Sequence, residues 1–144
     1  MNADELVIET NCAEQTQQIG RALAELISPG TVVALYGDLA AGKTCLVQGV
    51  GEALEVAEAI TSPTFTLVNG YHGKHTLYHL DLYRLTTVAE LFDLGYEDIL
   101  NEPEGICFIE WAERAGKVLP KRHIRITLEH AGEDLRKICI ADDG

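Results

Sequence analysis

The sequence predicts an α/β domain in three layers, with a mostly parallel central sheet and antiparallel strands at its margins. Three observations carry that expectation. Apolar runs of strand length alternate along the chain with segments whose apolar residues recur at helical spacing. Gly105 introduces Ile106-Cys107-Phe108-Ile109, a continuous apolar run of the kind that fills a strand buried on both faces. Near the end, Ile124, Ile126 and Leu128 alternate with Arg125 and Thr127, and a second run from Leu135 to Ile140 follows Ala131-Gly132-Glu133; together they read as a half-exposed antiparallel hairpin. With 144 residues, 47% of them hydrophobic and 24% charged, the chain is expected to form one domain, residues 1–144, with a core of its own.

Taken in order, Leu6-Val7-Ile8 reads as the first strand, and Asn11 followed by Glu14 resembles a capping pair that opens a helix. Ile19, Leu23, Leu26 and Ile27 give that helix one apolar face, and Ser28-Pro29-Gly30 stops it. Thr31 to Tyr36 has strand composition, and Leu46, Val47, Val50 and Leu54 recur at helical spacing after it. Thr61-Ser62-Pro63-Thr64 breaks the pattern. Phe65 to Tyr71 and His75 to Leu80 then read as strands joined by a turn near His72-Gly73, and a helix is expected from Val88 to Leu94. No repeat, low-complexity tract or linker interrupts the chain.

Between the second strand and its helix stands Gly37-Asp38-Leu39-Ala40-Ala41-Gly42-Lys43-Thr44, which matches the phosphate-loop pattern G-x-x-x-x-G-K-[ST] in the strand–turn–helix context it needs. Such a loop curls backbone N–H groups from Leu39 to Thr44 around a phosphate, the helix N-terminus adds partial positive charge, Lys43 reaches the outer phosphates, and the Thr44 hydroxyl can ligate Mg²⁺. A glycine-bounded surface turn is the plain alternative; the flanking strand and helix argue for the nucleotide site. The expected architecture is therefore P-loop NTPase-like.

Charge narrows the partners. The net charge is −12, and the 11 Lys and Arg residues form no basic block, so an extended grip on nucleic-acid phosphates is not expected. No apolar stretch has the length of a bilayer span, and Met1-Asn2-Ala3-Asp4-Glu5 lacks a signal-peptide layout, so a cytoplasmic protein without membrane contact is expected. Cys12, Cys45, Cys107 and Cys139 form no C-x-x-C pair, and three of them are expected to act as small apolar fillers. Cys45 lies just inside the helix after the loop, where the helix terminus favours a thiolate and burial favours an inert thiol.

Hydrolysis or transfer also needs acidic groups to place a metal and orient the attacking oxygen. Asp81 and Glu110 each stand where an apolar strand ends, the position at which open α/β sheets collect ligands. Either carboxylate alone would serve equally as a surface residue or a helix cap. His75, His79 and Asp81 share one strand face by period two, a row that suits either a transition metal or, better, a His79 that hydrogen-bonds near the site. Ser62, Thr64 and Thr66 fit a loop that senses the terminal phosphate, and fit ordinary turn chemistry around Pro63 equally well.

Four stretches in this order, Gly37 to Thr44, Thr61-Ser62-Pro63-Thr64-Phe65, His79-Leu80-Asp81-Leu82-Tyr83-Arg84-Leu85 and Ile109-Glu110-Trp111-Ala112-Glu113, resemble the TsaE family of bacterial ATPases. The resemblance runs from the first strand to the C-terminal hairpin. It implies a small P-loop ATPase, weak alone, that binds ATP and Mg²⁺ and supports threonylcarbamoyl-adenosine synthesis next to the tRNA anticodon. It also implies the partners TsaD and TsaB, with tRNA met only through the complex. Residue by residue, it makes Lys43 the phosphate-binding and catalytic lysine, Thr44, Asp81 and Glu110 the magnesium ligands, and Asp81 and Glu110 the catalytic acids. Asn11, Leu39, Ala40, Ala41, Gly42, Lys43, Thr44, Cys45 and Thr64 become the nucleotide contacts, with Thr64 in a switch-like loop and Trp111 beside the site. Ala40, where the family often has glycine, and Gly70, where an acidic residue is common, depart from the pattern.

Two other classes stay open on sequence alone. A small-molecule kinase of the same fold would need a lid bringing arginines over the phosphates, and Arg84, Arg114, Arg122, Arg125 and Arg136 are dispersed. A nucleotide-dependent binding switch would use the same loop without hydrolysis.

Overall fold

Seven strands form one sheet in the order β1-β7-β6-β2-β5-β4-β3. The computed structural model describes residues 5–37, 42–61 and 67–142. Along the chain the elements are β1 (Glu5–Thr10), α1 (Ala13–Leu26), β2 (Val32–Tyr36), α2 (Lys43–Ala53), β3 (Val68–His72), β4 (Thr76–Asp81), α3 (Val88–Asp93), α4 (Tyr96–Leu100), β5 (Gly105–Glu110), a 3₁₀ segment (Ala112–Val118), β6 (Ile124–His130) and β7 (Arg136–Asp142). β2 runs parallel to both β5 and β6, and β5 parallel to β4. The outer pairs β1–β7, β6–β7 and β3–β4 are antiparallel. The expected parallel centre and antiparallel margins are both present.

Period-two alternation sorts the core into two halves. Val33, Leu35, Leu77, Ile106, Phe108, Ile126 and Leu128 pack with Leu23 of α1 and Leu46, Val47 and Val50 of α2. On the other face Val32, Ala34, Leu80, Cys107 and Ile109 pack with Leu91 of α3, Tyr96 of α4, and Ala112 and Ala115. Every residue of β5 is buried, as its unbroken apolar run requires. Helices α1 and α2 touch backbone to backbone: a Cβ on Gly49 would lie 2.0 Å from the Gln17 carbonyl oxygen, and one on Gly20 2.2 Å from that of Leu46.

Several details differ from the sequence reading. The N-cap of α1 is Cys12 rather than Asn11, and the side chain that reaches back is Gln15, whose Oε1 accepts the Asn11 N–H at 2.8 Å. Leu26 is 83% exposed, because the buried stripe of α1 runs through Thr16, Gly20, Leu23 and Ala24. Of the four cysteines only Cys107 is buried; Cys12 is exposed. Helix α4 and the 3₁₀ segment carry too short an apolar pattern to announce themselves, and their direction is set by packing against β5 and β2. Phe65 and Thr66, expected to begin β3, lie outside the described residues, as do Ser62, Pro63 and Thr64.

Candidate functional site

The carboxyl ends of β2, β5 and β4 lie side by side. Leu35 of β2 is in register with Glu110 of β5, and Glu110 with Asp81 of β4. Because Leu77, Ile106 and Phe108 face α2, alternation turns His79, Asp81 and Glu110 to that same face, toward the start of α2. Lys43, His79, Asp81 and Glu110 are the buried charged-type side chains among the described residues, and all belong to this end of the sheet. Burying ionisable groups costs free energy unless they are paired, so their concentration at the rim of the sheet marks a place shaped by more than packing.

The contacts are specific. The Thr44 hydroxyl donates to Glu110 Oε2 at 3.1 Å, and His79 Nε2 lies 2.5 Å from that same oxygen. A carboxylate only accepts, so both groups act as donors to it. Asp81 Oδ1 accepts the Tyr83 N–H at 3.0 Å, which turns the chain as it leaves β4. Lys43 donates to the Gly37 carbonyl at 2.6 Å and holds its ammonium 3.9 Å from the centre of the Trp111 ring. Trp111 itself packs against Tyr83, the ring centres 5.0 Å apart and the planes tilted by 49°, and the Arg114 guanidinium lies 5.7 Å from the Tyr83 ring. Trp111 has a left-handed backbone (φ 57), a strained conformation for a bulky residue, immediately after Glu110.

Gly42 caps α2 with φ 102, a conformation that only glycine takes without strain. Leu39, Ala40 and Ala41, expected donors to a phosphate, lie outside the described residues, and so does Thr64. The first turn of α1 sits beside Gly42. Thr10 and Thr16 share a hydroxyl hydrogen bond at 2.9 Å, and a Cβ on Gly42 would lie 3.8 Å from Thr16 Cγ2. Asn11 follows Thr10 there. Cys45 Sγ donates to the Ala13 carbonyl at 3.5 Å; removal from water, larger than the opposing Gln17 hydrogen bond, raises its pKa, so this thiol stays protonated.

The residues named from sequence thus come together as Lys43, Thr44, Asp81 and Glu110, with Cys45 in the first turn of α2 against the start of α1, which Asn11 precedes. His75 does not join them. It hydrogen-bonds Glu104 at 3.1 Å at the far end of β4, and among the described residues no three His, Cys, Asp or Glu side chains gather as metal ligands. Sequence reasoning missed the Gly37 carbonyl and Tyr83 as partners of the site. Tyr83 meets Trp111 only because β4 and β5 are neighbours, which no local pattern encodes. A cavity of about 430 Å³, lined by Pro29, Gly30, His123 and Asp142 among others, opens at the opposite ends of the strands and contains none of these groups. Among the described residues no helix is long and apolar enough to cross a membrane.

The same arrangement of chain is found in known proteins. The solved structure of YdiB from Bacillus subtilis superposes with a TM-score of 0.77 at 34% identity, covering 98% of this chain and 87% of that one. The tRNA threonylcarbamoyladenosine biosynthesis protein TsaE of Treponema pallidum is 43% identical over 129 residues, 90% of this chain and 95% of its own length. The protein of the same name from Bacillus subtilis is 38% identical over 132 residues, 91% and 82% of the two chains. The family model for the threonylcarbamoyl adenosine biosynthesis protein TsaE matches residues 10–138. With the fold, the relatives and the motif positions in agreement, the chain belongs to the TsaE family.

Proposed function

We propose that this chain is a Mg²⁺-dependent ATPase that supports threonylcarbamoyl-adenosine modification of tRNA next to the anticodon, working in the cytoplasm with TsaD and TsaB and driving turnover of their complex. The observation that carries the reading is the 3.1 Å contact between the Thr44 hydroxyl and Glu110 across the mouth of the loop, with Asp81 in register beside it. A hydroxyl and two carboxylates form an all-oxygen donor set, which suits a hard, small cation that keeps most of its water and takes few protein ligands. Bound there, Mg²⁺ would neutralise phosphate charge. Thr44, Asp81 and Glu110 would hold it, Lys43 would leave the Gly37 carbonyl for the outer phosphates, and the α2 N-terminus would add its partial charge. Glu110 would orient the attacking water and take its proton.

Family membership and the relatives' names support the tRNA pathway. The strand-end carboxylates support hydrolysis over a pure binding switch. Nucleotide turnover, measured alone and with TsaB and TsaD, tests it. Glu110→Gln should bind ATP and lose hydrolysis, and Asp81→Asn should need more Mg²⁺. Parent-like turnover in both variants would remove the catalytic roles. Transfer of phosphate to a small acceptor rather than to water would mean a kinase.

A further inference from the structure

We propose that His79 is a positioning residue for Glu110, fixing which way its carboxylate faces; this rests on the hydrolytic reading of Glu110. His79 is fully buried in β4, between Leu77 and Leu80 in sequence and opposite Phe108 in register. An apolar side chain would suit that slot. Instead the sheet buries an imidazole whose Nδ1 has no hydrogen-bond partner among the described residues. An unpaired buried polar atom costs about 1–3 kcal/mol. Its offset is one short bond, Nε2 to Glu110 Oε2 at 2.5 Å.

That bond has a definite effect on Glu110. The terminal torsion of a glutamate is broad, so a carboxylate on the last residue of a strand turns readily between orientations. His79 and Thr44 pin the same oxygen, Oε2, from two sides, and neither bond uses Oε1. A Thr44 hydroxyl turned toward a cation no longer donates to Glu110. His79 is then the bond that remains, and it comes from a fully buried side chain of β4. A carboxylate held before the water arrives needs no reorganisation when charge develops. The role requires only an N–H at the Nε2 position and involves no change of protonation.

Two amides separate this role from simple packing. Glutamine places an N–H where Nε2 lies, whereas asparagine ends near the Nδ1 position. Single-turnover ATP hydrolysis with TsaB and TsaD present, together with fluorescent-nucleotide titration and melting curves, should be measured for the parent, His79→Gln, His79→Asn and Glu110→Gln. Nucleotide affinity of His79→Gln and His79→Asn should match that of the parent. His79→Gln should hydrolyse within about threefold of the parent, and His79→Asn should lose at least about tenfold, the scale expected for a misplaced catalytic group. Equal rates for His79→Asn and the parent, or equal losses in both amides, would overturn the proposal. If Glu110→Gln hydrolyses like the parent, the reading of Glu110 fails first, and the role of His79 falls with it.

Discussion

The Lys43 ammonium sits 3.9 Å from the centre of the Trp111 ring while donating to the Gly37 carbonyl at 2.6 Å. Both partners are ones a phosphate would replace. A buried cation–π contact is worth about 2 kcal/mol, and a hydrogen bond from a charged donor about 1.5–3 kcal/mol, so the contacts the lysine gives up are comparable in size to those a phosphate offers.

Trp111 is the single tryptophan of the chain. Its emission should therefore change on adding ATP or ADP, as Lys43 moves off the ring. Lys43→Ala should abolish that change and weaken nucleotide affinity about tenfold or more, read by calorimetry. Unaltered affinity in the variant would mean that the loop does not hold the phosphates.

Trp111→Ala should lower partner-stimulated ATP turnover more than it lowers basal nucleotide binding, because the ring lies between Lys43 and Tyr83 at the rim of the site. Parallel loss of both in steady-state assays and titrations would reduce the ring to a packing role.

Alkaline pH should weaken the fold through Cys107. Burial pushes this thiol from an ordinary value near 9 up to about 12. The unfolded chain releases the proton first, so the thiol's contribution is complete below pH 9 and is lost as pH rises toward 12. The slope approaches about 1.4 kcal/mol per pH unit. Urea titrations across that range should show a steeper decline for the parent than for Cys107→Ala, which starts less stable and falls more slowly. Parallel declines would contradict the assignment.

Direct affinity for tRNA should be poor and should stay poor at low salt. A net charge of −12 repels a polyanion, and no run of Lys or Arg offers a local counter-field. Tight, salt-sensitive capture of tRNA by the isolated protein in a filter-binding assay would overturn this.

What the sequence made legible follows from how locally each feature is determined. β5 and the core of α2 were readable because an unbroken apolar run and a 3.6-residue repeat each have one physical solution. The strand-end positions of Asp81 and Glu110 were readable for the same reason. Their mutual register was not, since it depends on β4 joining β5 across a long intervening segment. The start of α1 was misread because Asn11 and Glu14 fit a cap, while Gln15 satisfies the exposed backbone donor one residue further on. Leu26 looked like core because its spacing suits a helix face; the helix turns it outward since the close approach to α2 fixes the rotation at Gly20. Trp111 over Lys43 had no local signal at all.

The glycine contacts between α1 and α2 divide the site mechanically. With Gly49 against the Gln17 carbonyl and Gly20 against that of Leu46, the two helix backbones meet where no side chain would fit, so Lys43 and Thr44 stand on a closely packed mount. Asp81, Glu110 and Trp111 lead instead into short, shallow segments, and α3 buries only Leu91. A partner that reshapes the site would meet less packing at the segments that follow β4 and β5 than at the helix pair.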